Sequence, residues 1–443
     1  MQKVLILGAG LIARPIIRYL LDSGFAVTQA TRTVGKALTM IDNHPDGTAL
    51  ELDMSSDQVG DRLRELVGDS DIVVSLLPYM FHVGIARMCL DAGKNMVTTS
   101  YVSDEMRALD RDATEKGLLI LNESGLDPGL DHMSAMRVIH DVESRGGKVR
   151  SFRSTTGALP SHESNNNPFG YKFSWSPKGV LLASCHAAKW LEDGKEVSIP
   201  GEELFEHYVL EDVPGAGTFE NYPNRDSMPY QEIYGLSDAH TVYRGTYRMV
   251  GWCETLRSIA ALGWLDDEPI QGFAGGSYGD LTAHLIGSDS GNGLSGAVAT
   301  RLGFPSYSAA IKRMEWLGLF SDRSLPSGEN DPLSYLNVLS LEKLDLQPDD
   351  RDMVVMHHDF LSEFPDGRSE HTTATLLDYG IKGGDTSIAR TVALSTGIAV
   401  RMILEGKLTR SGVKIPVEPD IYNPILDELA NMGIRFREQT RES

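Results

Sequence analysis

Over the first 122 residues, short apolar runs alternate with stretches whose apolar positions recur at helical spacing. The runs predict buried strands at Val4–Leu7, Ala26–Ala30, Ala49–Asp53, Asp71–Leu77, Asn95–Thr98 and Leu118–Asn122. The intervening pattern predicts helices at Leu11–Leu21, Gly35–Ile41, Ser56–Val67, Phe81–Ala92 and Asp104–Lys116. Strands alternating with helices through six strands specify an α/β fold, a doubly wound parallel sheet of the Rossmann type. Further on the pattern loosens. Val149–Thr156, Glu203–Leu210 and Ala239–Val250 read as strands, Pro177–Leu191 as a helix, and polar Ser161–Trp175 as a long loop. Ile270–Leu344 is rich in Gly and Ser and carries short helices such as Tyr307–Leu319. Met353–Phe364 and His371–Tyr379 flank Pro365-Asp-Gly-Arg368 as a hairpin would. Ser387–Glu405 is apolar on most sides and is expected to dock back on the first domain as a buried helix. The expected domains are 1–149 with 385–443, a second α/β domain of mixed sheet at 150–269 and 346–384, and a small helical subdomain at 270–345.

The first strand runs straight into Gly8-Ala9-Gly10 and then Ala13, which fits G-x-G-x-x-[G/A] between a strand and a helix. Each small residue has its own reason. Gly8 allows the tight turn, Gly10 lets the backbone approach a pyrophosphate, and Ala13 lets helix pack on strand. The exposed N–H groups of the helix then meet the phosphates. A plain Gly-rich turn is the rival reading. Strand two ends Gln29-Ala30-Thr31-Arg32-Thr33 with Lys36 soon after, and it lacks the carboxylate that holds the ribose hydroxyl of NAD. A guanidinium there suits the 2′-phosphate of NADP(H), against the alternative of a solvated surface arginine. Ligands sit outside the C-terminal ends of strands in such sheets. Asp53, Leu77-Pro78, Thr99-Ser100-Tyr101 and Gly125-Leu126-Asp127-Pro128-Gly129 therefore surround the expected nicotinamide position, although Asp-Pro-Gly is also good turn chemistry.

Composition narrows the partners. The net charge of −21 argues against nucleic acid and anionic membranes, so any anion needs a local basic pocket. Cys89, Cys185 and Cys253 are widely spaced with no C-x-x-C pair, which fits a reducing cytoplasm rather than a disulfide or zinc framework. No run reaches 18 uninterrupted apolar residues, so neither a membrane span nor a signal peptide is expected. Adjacent His357-His358 cannot easily share a metal, and Cys185-His186 on a helix would point apart, so no metal site is expected. The acidic runs Asp266-Asp-Glu268 and Asp349–Asp352 read as solvated loops.

Several segments together resemble the saccharopine dehydrogenase family, nearly end to end. They are Gly8-Ala-Gly-Leu-Ile-Ala-Arg-Pro15, Thr31-Arg-Thr33, Val97-Thr-Thr-Ser-Tyr101 and Asn122-Glu-Ser-Gly-Leu-Asp-Pro-Gly-Leu-Asp-His132. Asn167-Pro-Phe-Gly-Tyr-Lys-Phe-Ser-Trp-Ser176, Tyr222-Pro-Asn-Arg-Asp-Ser227 and Tyr243-Arg-Gly-Thr-Tyr-Arg248 complete the set. The resemblance implies a Rossmann domain, an inserted substrate domain, a helical third domain and a homodimer. It implies that Ala9, Leu11, Ile12, Thr31–Thr33, Asp53, Met54, Thr99, Ser100, Leu126, Asp127, Pro128 and Ser174 touch or approach NADP. Ser100, Tyr101, Asp127, Arg225 and the stretch Thr246–Arg248 would touch saccharopine. One departure is Thr155-Thr-Gly-Ala-Leu-Pro160, where the family pattern has Tyr-Cys-Gly-Gly-Leu-Pro, so Thr156 replaces a cysteine.

The implied reaction moves hydride from the ε-carbon of saccharopine to nicotinamide, and water then splits the imine into glutamate and aminoadipate semialdehyde. Three substrate carboxylates need cations, and arginine forks bind carboxylates bidentately. Arg225, Arg244 and Arg248 are the candidates, the latter two sharing one face of a strand; salt bridges to the chain's own acids are the alternative. Asp127 and Tyr101 are the candidate acid–base pair, with Asp127 equally suited to holding the substrate amine. Two rivals stand beside this reading: a carboxynorspermidine dehydrogenase-like reductive aminase, whose substrate needs fewer arginines, and a non-catalytic NADP sensor.

Overall fold

The computed structural model describes residues 1–442 except 57–58, 184, 272, 274 and 289–292. Two compact units emerge: Met1–Lys148 with Gly384–Glu438, and Val149–Gly383 with Gln439–Ser443.

In the first unit the chain runs β1 (Lys3–Leu7), α1 (Ala13–Asp22), β2 (Ala26–Thr31), α2 (Val34–Ile41), β3 (Gly47–Glu51), α3 (Val59–Asp69) and β4 (Ile72–Ser75). It continues through α4 (His82–Ala92), β5 (Asn95–Thr98), α5 (Asp104–Arg107), α6 (Asp110–Glu115), β6 (Leu119–Leu121) and α7 (Leu130–Ser144). The sheet order is β6-β5-β4-β1-β2-β3, with a late strand, Gly412–Lys414, beside β6. All of these pairs are parallel. The order reverses direction at β1, between β4 and β2, which is where such sheets open a ligand crevice. Val4–Leu7 is buried on both faces, as an apolar run in a central parallel strand must be.

The helix Ser387–Leu404 lies on α1 within this unit. A Cβ on Gly397 would come 2.8 Å from Cδ1 of Tyr19, so glycine allows the close approach. By length and composition this helix could cross a membrane, but 72% of its most apolar window is buried. The expected helix Asp104–Lys116 is broken into α5 and α6. The expected start of α3 at Ser56 runs into residues 57–58, which lie outside the described residues.

The second unit is built on a nine-stranded mixed sheet. Its elements are β7 (Lys148–Pro160), α8 (Pro177–Ala183), β8 (Ala188–Glu192), β9 (Lys195–Ile199), β10 (Val209–Val213), β11 (Gly217–Pro223), α9 (Pro229–Ile233) and β12 (Thr241–Arg248). The helices α10 (Trp252–Ala261), α11 (Tyr278–Ile286), α12 (Leu294–Leu302), α13 (Ala309–Leu317) and α14 (Pro332–Leu344) follow, then β13 (Asp352–Glu363) and β14 (Ser369–Tyr379). The path is β10-β11-β12-β7-β13-β14, ending on a C-terminal strand, Phe436–Glu442; β8 joins β12 and β9. β12 and β7 are parallel, while β11–β12 and β13–β14 are antiparallel. The helical segment 270–345 stays within this unit, its Tyr278, Leu281 and Leu336 sharing one core with Tyr247 and Trp252.

Three expectations fail here, each for a physical reason. Pro177–Leu191 is helical only to Ala183, because Asp193-Gly194 closes a β8–β9 hairpin with positive φ at both residues (47° and 76°). Glu203–Leu210 is a 3₁₀ turn over Gly201–Glu206 followed by β10; consecutive Leu204 and Phe205 are both buried, which a one-faced strand cannot do. Asp349–Asp352 is not a solvated loop: Asp350 forms a 2.5 Å ion pair with buried Lys172, and Asp352 is buried at the start of β13.

Candidate active site

At the end of β1, Gly8 holds φ +105° and donates its N–H to the Ala30 carbonyl (2.9 Å). A Cβ there would sit 3.2 Å from the Leu76 carbonyl oxygen, so only glycine fits the turn. At Gly10 a Cβ would meet nothing within 4 Å, and the space before α1 is open. The α1 N-terminus has no side-chain cap and no acidic residue in its first turn. Its first N–H groups therefore keep their capacity for an anion. At the end of β2, Thr31 is buried while Arg32 and Thr33 are exposed, and Arg32 makes no ion pair among the described residues. Its charge bears on Asp53, whose carboxyl is held below the ordinary range by the Ser55 N–H and hydroxyl first, with Arg32 a smaller cause. Asp53 and Met54 are both part-exposed. The residues present fit an NADP: open glycines, an uncapped helix and an uncommitted guanidinium where a carboxylate would select NAD.

The ends of β5 and β6 supply the rest of this unit's site. Tyr101, a 39% exposed residue, donates its hydroxyl to Asp127 Oδ1 at 3.0 Å. The loop 125–129 folds tightly on itself, with Gly125 N–H donating to the Pro128 carbonyl (3.0 Å) and Leu130 N–H to the Gly125 carbonyl (3.0 Å). A Cβ on Gly125 would lie 3.3 Å from Thr99 Cβ, so glycine brings this loop against β5, with Leu126 and Pro128 buried and Asp127 part-exposed. Ser100 follows Thr99 and contacts the ring of His82 (2.8 Å between Oγ and Nε2). No role is expected from the sequence for His82, nor for the buried Glu123–His132 pair (2.6 Å) near the two ends of the Asn122–His132 motif, whose Glu123 Oε1 accepts from Val102 N–H (2.9 Å). The one signal for His82 was its place just past the end of β4, at the crevice.

In the second unit the three arginines separate. Arg225 is exposed, with φ +55° and its carbonyl accepting from Lys189 N–H (2.9 Å). Arg244 is buried and engaged with α9, donating from Nη1 to Tyr230 Oη (2.8 Å) over that ring at 4.3 Å. Arg248 is buried inside an aromatic cage, 5.4 Å from the centre of Tyr171, 5.7 Å from Trp252 and 5.9 Å from Tyr222. Its Nη1 donates to the Tyr247 carbonyl, and its Nε has no hydrogen-bond partner among the described residues. Among the described residues no carboxylate forms an ion pair with it; the cross-strand neighbour Glu220 instead accepts from Gly251 and Cys253 N–H at the start of α10. A buried cation without a direct ion pair is costly, and the Trp252 Nε1 donor of the same cage is also without a hydrogen-bond partner among the described residues. Burial pushes Tyr222 up to about 12 and raises Tyr171, with Arg248 opposing both shifts.

Thr246 faces Thr156 across β7 and Tyr222 across β11, two residues from Arg248 on the same face of β12. Among the described residues the Thr156 hydroxyl, where the family pattern has cysteine, is buried without a hydrogen-bond partner, and so is that of Ser174. Among the described residues no three His, Cys, Asp or Glu side chains group as metal ligands would. His357 hydrogen-bonds Thr375 (2.7 Å), while His358 packs on Phe152 and Phe360. Cys185 and His186 lie past the end of α8, not on a helix.

Residues 4–121 match the family described as Saccharopine dehydrogenase NADP binding domain, and residues 125–434 that described as Saccharopine dehydrogenase C-terminal domain. The chain is 35% identical over 449 residues to saccharopine dehydrogenase (NADP(+), L-glutamate-forming) of Schizosaccharomyces pombe, covering 99% of each protein. It is 35% identical over 448 residues to the mitochondrial alpha-aminoadipic semialdehyde synthase of Rattus norvegicus, covering 99% of this chain and 48% of that one. Its fold is similar to apo saccharopine dehydrogenase (L-Glu forming) from Saccharomyces cerevisiae, with a TM-score of 0.91, 35% identity and full coverage of both chains.

Proposed function

The chain belongs to the saccharopine dehydrogenase family, and on that premise we infer that it is an NADP-dependent oxidoreductase of lysine metabolism. It interconverts saccharopine with glutamate and 2-aminoadipate 6-semialdehyde. The observation that carries this is the end-to-end likeness to glutamate-forming saccharopine dehydrogenases in both sequence and structure. Bound NADP+ supplies the hydride acceptor.

The chain's own residues bind, orient and move protons. Gly8–Ile12 and the α1 N-terminus take the pyrophosphate, and Arg32 with Thr31 and Thr33 takes the 2′-phosphate. Asp53, Met54, Thr99, Ser100, Leu126–Pro128 and Ser174 complete the cofactor contacts. Arg248 accepts one substrate carboxylate, since its cage offers a buried guanidinium that forms no ion pair among the described residues. Arg225 and Thr246 serve the same substrate; Arg244 contributes through Tyr230, to which it is already bound. Asp127, hydrogen-bonded to Tyr101, takes the proton of the bridging amine before hydride leaves the adjacent carbon. Tyr101 then returns a proton as the water adduct collapses. A cytoplasmic homodimer is part of the same proposal; the free thiols of Cys89, Cys185 and Cys253 suit a reducing compartment.

The experiment follows NADPH absorbance with purified protein, NADP+ and saccharopine, then with carboxynorspermidine. Formation of NADPH with saccharopine alone is the expected result. Turnover of carboxynorspermidine instead would replace the substrate, and turnover of neither would leave an NADP-binding sensor.

A further inference from the structure

His82 opens α4 directly after the end of β4 and is only 3% exposed. Its ring lies between three hydroxyls. Nδ1 is 2.9 Å from Ser75 Oγ, the last residue of β4; Nε2 is 2.8 Å from Ser100 Oγ and 3.2 Å from Thr98 Oγ1 at the end of β5. The ring thus ties the ends of two adjacent strands together at the crevice, and its outer nitrogen meets the residue beside Tyr101. A buried ring with hydroxyls on both sides needs no counterion, since each hydroxyl can give or accept. Burial lowers its pKa to about 4, so the imidazole is neutral at working pH.

A serine hydroxyl at a strand end rotates freely unless something fixes it. Backbone contacts do not do this for Ser100: its N–H reaches Thr98 Oγ1 (3.4 Å) and its carbonyl accepts from Glu123 N–H (3.2 Å), which fix the main chain only. We propose that His82 is a positioning residue for the reaction, holding the Ser100 hydroxyl in the orientation that the site uses. The proposal rests on the reading above that Ser100 contacts cofactor and substrate. His82 itself touches neither; it acts through Ser100.

The test compares two amides. In His82→Gln the amide reaches the position of Nε2 and can keep the Ser100 contact, whereas in His82→Asn it reaches only Nδ1 and keeps Ser75. Both remove the ring, so the thermal midpoint without cofactor should fall alike in the two. Expected is kcat/KM within about threefold of the parent for Gln and about tenfold lower for Asn, as for one orienting hydrogen bond. The Asn loss should vanish on a Ser100→Ala background, because the two changes remove one contact. NADPH affinity, titrated by its fluorescence, supplies a readout apart from turnover and should follow the same Gln-over-Asn order or stay unchanged in both. Equal loss in Gln and Asn, or full additivity with Ser100→Ala, overturns the role of His82. If instead Ser100→Ala alone has no effect on kcat/KM or NADPH affinity, the Ser100 assignment fails, and the proposal with it.

Discussion

Replacing Arg248 by Met separates a ligand-binding cation from a structural one. The side chain is buried, lies 5.4–5.9 Å from three aromatic centres, donates to its neighbour's carbonyl and, among the described residues, leaves Nε without a hydrogen-bond partner. Loss of the cation–π contacts costs about 1–2 kcal/mol when they are desolvated. Keeping a charge out of water without a direct ion pair costs several kcal/mol by itself. Met fills similar volume and packs well on aromatic rings, so the unliganded thermal midpoint should hold or rise. Binding behaves oppositely. A hydrogen bond between charged partners contributes about 1.5–3 kcal/mol, and each 1.4 kcal/mol is tenfold in affinity, so KM for saccharopine should rise about 10- to 150-fold. NADPH affinity should not move. Steady-state kinetics over a saccharopine series and thermal unfolding without ligand read the two halves. A midpoint falling by about 2–4 °C for each kcal/mol lost, with KM unchanged, would show that Arg248 is a structural cation and refute the argument.

Other expectations rest on separate observations. Arg32→Ala should weaken NADPH binding by about 10- to 150-fold while NADH changes little; equal losses in titrations with both cofactors would remove Arg32 from the 2′-phosphate. Asp127→Asn and Tyr101→Phe should lower kcat about 10²- to 10⁴-fold if the pair moves the proton, whereas a rise confined to KM would assign Asp127 to holding the amine. Breaking the buried Lys172–Asp350 pair with Lys172→Met should cost about 3–5 kcal/mol, and adding Asp350→Leu should restore most of it; urea unfolding of the single and double variants decides. His82, neutral when folded down to about pH 4 but protonated below about 6.5 when unfolded, makes stability rise with pH between those values. Wild type should therefore lose up to about 3 kcal/mol more than His82→Gln on acidification from pH 7 to 4; parallel loss in the two contradicts the burial argument.

What the sequence determined by itself was whatever depends on neighbours in the chain. The Gly8 turn, the apolar run Val4–Leu7, the β13–β14 hairpin and the missing carboxylate after β2 follow from local backbone limits and local periodicity, and they lie as expected. The Asp193-Gly194 turn is equally local, although the helix expected over Pro177–Leu191 takes no account of it. Tertiary structure decided the rest. Arg225, Arg244 and Arg248 fall within two short segments, yet one is exposed, one is bound to Tyr230 and one sits among Tyr171, Tyr222 and Trp252. The cage joins β12, β11, α10 and the loop before α8, and the His82 cluster joins β4, α4 and β5. Such groupings depend on strand order and register, and no spacing along the chain encodes which side chains those bring within a few ångströms of one another.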